Sequence, residues 1–131
     1  MAILTLLAET AADLMTREPV SLDAATTTDA AAKLLTTNAF SAAVVIDAAG
    51  RPAGVVTKTD LLTHARHQKA NVATPIKDAM TTAVFTVRTD TPARSVVEQF
   101  LALNVHHLFV VDDAGTLVGV ISPMDVLKKL G

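Results

Sequence analysis

Two short motifs in this chain combine a hydroxyl side chain with a carboxylate three residues later. Thr57 precedes Asp60, and Ser122 precedes Asp125 with the same spacing. A hydroxyl can donate a hydrogen bond to a phosphate, and a carboxylate can accept hydrogen bonds from two neighbouring hydroxyls of a sugar. Each motif therefore brings together groups that are complementary to a sugar and to a phosphate.

The same spacing also fits a helix capping box, which needs no ligand. There the hydroxyl accepts a backbone N–H bond, and the acid at the third helical position reaches back to the cap residue. Pro123, directly after Ser122, is typical of a first helical turn and strengthens this interpretation. A helix N-terminus also suits a phosphate, because its amides lack partners and carry partial positive charge. Capping and binding can therefore coexist in one motif.

The motifs lie in two copies of one longer pattern, offset by 65 residues. Residues 47–62 return as residues 112–127, each copy with a glycine turn and a second glycine that opens a short apolar run. The offset continues without a gap back to residues 13–16 and 78–81. A tandem repeat of this kind predicts two similar structural halves with two equivalent half-sites.

The doubled pattern Gly-x-x-Thr/Ser-x-x-Asp, which begins at Gly54 and Gly119, resembles that of a known family. It is similar to a pair of cystathionine β-synthase (CBS) domains, often called a Bateman module, over about residues 12–130. The resemblance implies an α/β (α+β) fold of two β-α-β-β-α repeats. It also implies that the repeats pack through their sheets with pseudo-twofold symmetry.

Hydrophobic periodicity predicts the same order of elements in each repeat. For the first repeat the expected elements are a strand at 20–22, a helix at 26–38, strands at 42–46 and 53–56, and a helix at 59–68. For the second repeat they are a strand at 84–87, a helix at 91–104 capped by Thr91, strands at 108–111 and 117–121, and a helix at 123–130. A further helix is predicted at residues 3–15. The expected domains are an N-terminal helix with the first repeat, residues 1–68, and a linker with the second repeat, residues 69–131.

The resemblance further implies a ligand. In the family this motif is an adenosine-nucleotide signature, which implies that Asp60 and Asp125 bind ribose and that Thr57 and Ser122 lie near phosphate. The family builds each cleft from both repeats. The residues then expected opposite the second motif are Met15, Val20, Phe40 and Ser41, and those expected opposite the first motif are Met80, Phe85, Val105 and His106.

Three basic side chains are candidates for additional phosphate contacts. Family members often place a basic residue at the position of His107, and strand alternation sends only one of His106 and His107 into a given cleft. The alternative for each is a solvated or hydrogen-bonded surface histidine. Lys58 can add positive charge at the first motif, although a lone lysine after a strand is usually just exposed.

Other kinds of chemistry find little support in the sequence. His64 and His67 have a spacing that can chelate a metal on a helix, but no third ligand is nearby, so a solvated face is favoured. No nucleophile, base and orienting acid are arranged for catalysis, and no enzyme activity is expected. There is no cysteine, which excludes disulfides and thiolate metal sites.

Net charge and the distribution of basic residues limit the kinds of partner that the chain is expected to bind. The 131 residues carry a net charge of −2, and the 11 basic residues form no cluster, so no nucleic-acid partner is expected. The first ten residues make a poor signal peptide and are too short to cross a membrane. The expected location is therefore cytoplasmic, without membrane association.

Two functions fit these observations. One is a regulatory module that senses AMP, ADP, ATP or a related adenosine compound as a regulatory ligand, with no other cofactor. The other is a structural dimerisation module whose motifs serve only as helix caps. A homodimer is expected in either case, because the predicted helices carry more apolar surface than one small body covers. Since no effector domain is attached, regulation of another protein in trans is also expected.

Overall fold

The computed structural model of the chain describes residues 4–40, 42–67 and 74–131. Within these ranges the fold is mixed α+β, with two β-sheets and five α-helices, which confirms the predicted fold class. The chain forms two compact units. The first unit is Val20–Val84, and the second unit combines Met1–Pro19 with Phe85–Gly131.

The helices and strands follow one another in a repeated order. In chain order they are α1 (Ala11–Leu14), β1 (Thr16–Arg17), β2 (Ser21–Asp23), α2 (Thr28–Asn38), β3 (Ala42–Ile46), β4 (Pro52–Thr57), α3 (Lys58–His67), a 3-10 turn (Ile76–Asp78), β5 (Thr86–Arg88), α4 (Ala93–Leu103), β6 (Leu108–Val111), β7 (Leu117–Ile121) and α5 (Pro123–Leu127). The repeated unit of strand, helix, two strands and helix is therefore present twice, as predicted.

Each unit contains one sheet, and the two sheets share a pairing pattern. In the first unit β2 runs parallel to β3, and β3 is antiparallel to β4. In the second unit β5 runs parallel to β6, and β6 is antiparallel to β7. The second sheet has one more edge strand, β1, which pairs antiparallel with β7. The motifs follow β4 and β7, so equivalent strands position them.

Apolar side chains of the helices and strands form a separate core in each unit. The buried core of the first unit consists of Ala31, Leu35, Ala43, Val45, Val56 and Ile76. The buried core of the second unit consists of Ala11, Leu14, Val87, Ala93, Val96, Phe100, Leu108, Val110 and Ile121. Burial of this apolar surface holds each motif-bearing strand against its helices.

The first unit is one continuous segment and the second unit combines two segments that are distant in sequence, whereas the domains predicted from the sequence were residues 1–68 and 69–131. Thr16, which precedes the first repeat, pairs with Val120 in the sheet of the second unit. Thr81, which precedes the second repeat, pairs with Val55 in the first unit through backbone hydrogen bonds of 2.8 and 2.9 Å. The segment in front of each repeat therefore joins the unit that contains the other repeat's motif.

The helix predicted at residues 3–15 is wrong except for its last turn, α1; residue 3 itself lies outside the described ranges. The preceding segment pairs with the end of the chain instead, because the N–H of Thr5 donates to the carbonyl of Gly131 at 2.9 Å. The Asp13 carboxylate accepts the N–H of Thr10 at 3.1 Å, which starts α1 at that point. Local periodicity carries no information about a pairing partner at the other end of the chain.

Two other predicted helix ends also need correction. Thr91 is not a helix cap: its Oγ1 accepts the N–H of Arg88 at 2.9 Å, and α4 begins after Pro92. The last helix ends at Leu127 rather than at residue 130, because Leu130 forms a β-bridge with Leu6. In both places backbone carbonyls pair with another segment, since the Thr91 carbonyl accepts the N–H of Ala11 at 2.8 Å and the Lys129 carbonyl accepts the N–H of Leu7 at 2.6 Å.

Candidate functional site

The first motif joins the end of β4 to the start of α3. The Oγ1 atom of Thr57 accepts the backbone N–H of Asp60 at 3.1 Å. In return, Oδ2 of Asp60 accepts the N–H of Thr57 at 2.9 Å. These reciprocal bonds are those of the predicted capping box, and they hold the partly buried carboxylate in one orientation.

The second motif has the same capping box between β7 and α5, with one additional bond. Oδ2 of Asp125 accepts the N–H of Ser122 at 2.7 Å, and Oγ of Ser122 accepts the N–H of Asp125 at 3.4 Å. The hydroxyl of Ser122 also donates to the same Oδ2 at 3.1 Å. Pro123 occupies the first turn of α5, as its type and position predict.

The outer carboxylate oxygens of the two motifs differ. Oδ1 of Asp125 accepts a hydrogen bond from Oγ1 of Thr16 at 3.4 Å. Among the described residues, Oδ1 of Asp60 accepts no hydrogen bond from the protein. Thr16 was not predicted as a site residue, although the repeated pairs Met15-Thr16 and Met80-Thr81 gave a signal that could have found it.

A methionine from the preceding segment packs directly on the glycine of each motif. A Cβ atom added at Gly119 would lie 2.5 Å from Sδ of Met15. A Cβ atom added at Gly54 would lie 2.5 Å from Sδ of Met80 and 2.9 Å from the carbonyl oxygen of Thr81. Both methionines therefore lie beside the motif that the family resemblance assigned to them, and only glycine leaves room for this approach.

His106 and His107 immediately precede β6 rather than lying within it. His106 is exposed, whereas His107 is half-buried and stacks on the ring of Phe109 with centroids 6.4 Å apart. Burial lowers the pKa of His107, the neighbouring His106 lowers it further, and Asp125 acts in the opposite direction. The lowered pKa favours the uncharged His107 ring, which can offer a phosphate a hydrogen bond but no fixed charge.

The lowered pKa of His107 makes a prediction about stability. Because the unfolded chain binds a proton more readily at this residue, the free energy of unfolding should fall as pH drops below the ordinary histidine value of 6.5. His107→Gln should reduce that slope in urea denaturation between pH 7 and pH 5. His106→Gln leaves His107 buried, so this variant should keep most of the slope. Equal slopes in wild type and His107→Gln would refute the assignment.

The remaining predicted site residues differ in accessibility. Val20 packs against the core of the first unit, and Val105 packs against the core of the second unit. Phe40 and Phe85 are large apolar side chains at the surface, with 38% and 37% of their area exposed. Lys58 is exposed at the first position of α3. Ser41 lies outside the described residues.

Within the second unit the structure brings Thr16 to Asp125 and Met15 to Gly119, on the strand that precedes Ser122. Within the first unit it brings Met80 to Gly54, on the strand that ends at Thr57. The other predicted juxtapositions join residues of different units, and they stay predictions. These are Val20, Phe40 and Ser41 with the second motif, and Phe85, Val105 and His106 with the first motif.

Among residues 4–40, 42–67 and 74–131, no group of three or more His, Cys, Asp or Glu side chains is placed to hold a metal ion. The side chain of His67 lies outside what the structure describes. None of the helices in the described ranges is both long and apolar enough to span a bilayer.

Known proteins share both the sequence pattern and the fold. The sequence profile of the CBS domain matches residues 11–67 and again residues 76–131. Protein MJ1404 of Methanocaldococcus jannaschii is 29% identical over 89 residues, which are 68% of this chain and 21% of MJ1404. The chain spans 21%, 44% and 60% of the lengths of three curated relatives that it matches.

Two similar solved structures contain a nucleotide. The structure of CBSX2 in complex with AMP has a TM-score of 0.78 and 25% identity, over 92% of this chain and 95% of CBSX2. The cytosolic domain of the Mg²⁺ channel MgtE in complex with ATP also has a TM-score of 0.78. It is 30% identical and is matched over 92% of this chain and 48% of its own.

Proposed function

This chain belongs to the CBS domain family, and from that membership we propose that it is a regulatory module that senses an adenosine nucleotide. In this proposal, nucleotide binding changes the packing of a homodimer or the interaction with a partner protein in trans. Two similar structures, at 25% and 30% identity, hold AMP and ATP. The observation that carries the proposal for this chain concerns the Asp60 carboxylate. Its Oδ2 is held by a hydrogen bond from the Thr57 N–H, whereas its Oδ1 accepts no hydrogen bond from the described residues.

The first motif supplies complementary groups for ribose and phosphate. Its capping box fixes Asp60 through Oδ2, so Oδ1 can accept ribose hydroxyls without a loss of side-chain freedom on binding. Oγ1 of Thr57 accepts the Asp60 N–H, and its own proton remains available for a phosphate oxygen. The ten-residue helix α3 begins at the same point and adds its first amides. Met80 packs on β4 beside this motif and offers an apolar contact to a base.

The alternative function is a structural dimerisation module. It is favoured by one observation, namely that both capping boxes are complete without any ligand. Under this alternative the aspartates serve the helices alone, and no nucleotide binds.

Thermal unfolding with and without nucleotide separates these two functions. A ligand that binds only the folded state raises the apparent stability, by about 2.7 kcal/mol at a hundred times its dissociation constant. AMP, ADP or ATP should therefore raise the melting temperature of the protein, whereas ribose-free phosphate at the same ionic strength should not. An unchanged melting temperature with all three nucleotides at millimolar concentration would favour the structural module.

The helices provide the surface for the proposed homodimer. The first unit has a groove of about 330 Å³ between α2 and α3, and the second unit has one of about 280 Å³ between α4 and α5. The first groove is lined by Ala32, Leu35, Thr36, Lys58, Leu61, Leu62 and Ala65. The second is lined by the seven equivalent positions of the other repeat, Val97, Phe100, Leu101, Pro123, Val126, Leu127 and Leu130.

We expect two copies to cover these grooves in a dimer of about 27 kDa, twice the chain mass of 13.7 kDa. Leu62 and Leu101 are 72% and 79% exposed beside the grooves, which is costly for large apolar side chains without a partner. Light scattering at micromolar concentration should report the dimer, and Leu62→Glu with Leu101→Glu should give the monomer. Leu4→Glu, at a similarly exposed position that lines neither groove, is the control. A wild-type protein that is monomeric with and without nucleotide would contradict the proposal.

A further inference from the structure

We propose that the two motifs are unequal sites, in which the first motif binds the nucleotide tightly and Thr16 restrains the second. This inference rests on the proposed function and adds an order of occupancy to it. The repeat alone predicts equivalent half-sites, because Thr57 and Asp60 match Ser122 and Asp125 in type and spacing. The hydrogen bonds of the two motifs are what distinguish them.

The first difference is the number of hydrogen bonds that each carboxylate can still accept. A carboxylate offers about four acceptor sites, two on each oxygen. Asp60 accepts one bond from the described residues, from the N–H of Thr57. Asp125 accepts three, from the N–H and hydroxyl of Ser122 and from the hydroxyl of Thr16. Two adjacent ribose hydroxyls therefore fit Asp60 as it stands, whereas at Asp125 one protein donor must first leave.

The second difference is the hydroxyl group of each motif. The hydroxyl of Ser122 both accepts the Asp125 N–H and donates its proton to the Asp125 carboxylate. In the described structure the hydroxyl of Thr57 accepts the corresponding N–H but donates to no protein group. A phosphate can therefore take the Thr57 proton directly, while the Ser122 hydroxyl must turn away from Asp125 before it can donate to a ligand.

Thr16 supplies the hydrogen bond that occupies the outer oxygen of Asp125 in the second motif. Its backbone is fixed at the sheet edge by pairing with Val120, and its hydroxyl donates to the outer oxygen of Asp125 at 3.4 Å. Thr81 is the equivalent residue of the other repeat and pairs with Val55 in the same way. The structure gives no bond from its hydroxyl to Asp60. Thr81 is therefore a matched control for Thr16.

The Thr16 bond is long and lies at an exposed side chain, so a ligand can displace it. The net free energy of such a hydrogen bond corresponds to a change of about twofold to tenfold in a dissociation constant. Thr16→Val keeps the shape and the strand preference of threonine but removes the donor. It should therefore strengthen AMP binding at the second motif by about that factor and leave the first motif unchanged.

Calorimetric titration with AMP tests the inference. In wild-type protein, Asp60→Asn should remove the tighter binding event, and Asp125→Asn should leave it in place. The Asp60→Asn background isolates the second motif, and there Thr16→Val and Thr16→Ala should tighten AMP binding. Thr16→Ser retains the hydroxyl and should behave as the parent, as should Thr81→Val. Circular dichroism of each variant establishes that the fold is retained.

The results separate the inference from the proposed function. AMP binding with equal affinity at both motifs, or loss of the tighter event in Asp125→Asn, would overturn the inference and leave the proposed function standing. Weaker or unchanged binding in both Thr16→Val and Thr16→Ala would also overturn the role of Thr16. If AMP binds neither wild type nor any variant, the inference fails, and the proposed function fails with it when ADP and ATP do not bind either.

Discussion

Replacing Leu108 with alanine is expected to lower the free energy of unfolding by about 2–5 kcal/mol. Leu108 opens β6 and has no exposed area, and it packs within the core that joins β6 and β7 to α4. Removing three buried carbons loses their transfer free energy and leaves a cavity that tight packing cannot fully close. Urea denaturation followed by circular dichroism measures the change.

Leu4 provides the control for this substitution, since it is 72% exposed. Leu4→Ala should alter the free energy of unfolding by about 0.5 kcal/mol or less. A loss below about 1 kcal/mol for Leu108→Ala would show that the core of the second unit is not packed as described.

Gly54→Val is expected to destabilise the protein by about 1–3 kcal/mol or more. A Cβ atom there would lie 2.5 Å from Sδ of Met80, which can move, and 2.9 Å from the carbonyl oxygen of Thr81, which is held by its pairing with Val55. The substitution must therefore push the segment around Thr81 away from β4. Denaturant midpoints of the variant and the wild type give the difference.

Gly119→Val is the matched substitution in the other repeat. The three atoms nearest to its added Cβ atom belong to the Met15 side chain, and of these Sδ and Cγ can rotate away more cheaply than a backbone carbonyl can move. Gly119→Val should therefore be the milder of the two. If Gly119→Val proves as damaging as Gly54→Val, the backbone contact at Thr81 does not set the cost.

Where local composition decides the structure, the sequence predicted it well. The strands at 42–46, 108–111 and 117–121 were predicted with the bounds that the structure has. They are apolar runs rich in β-branched residues, and each adjoins a glycine turn, where Gly50 or Gly115 adopts positive φ. The capping boxes at Thr57 and Ser122 were also predictable, because a hydroxyl and an acid three residues apart suffice to form one.

Where distant segments meet, local patterns predicted less. The segment before α1 has helical spacing of its apolar residues but pairs with the end of the chain, which no local window contains. The same limit applies to the second unit, which combines two distant segments, since the pairing of Thr16 with Val120 joins residues that are far apart in sequence. The contact of Thr16 with Asp125 needs that pairing but is not fixed by it, because Thr81 pairs equivalently with Val55 and, within the described structure, no bond joins its hydroxyl to Asp60. The repeat alone could therefore not show that the two motifs differ.

The central claim is that Asp60 and Asp125 bind the ribose of an adenosine nucleotide. Calorimetric titration of AMP into wild type and into the Asp60→Asn, Asp125→Asn double variant tests it most directly. Asparagine keeps the size of the side chain and part of its capping capacity but removes the charged acceptors, so AMP affinity should fall at least tenfold, or about 1.4 kcal/mol. Asp29→Asn, which removes an acid from the first turn of α2, controls for charge and should bind as wild type does. Unchanged AMP affinity in the double variant would contradict the account.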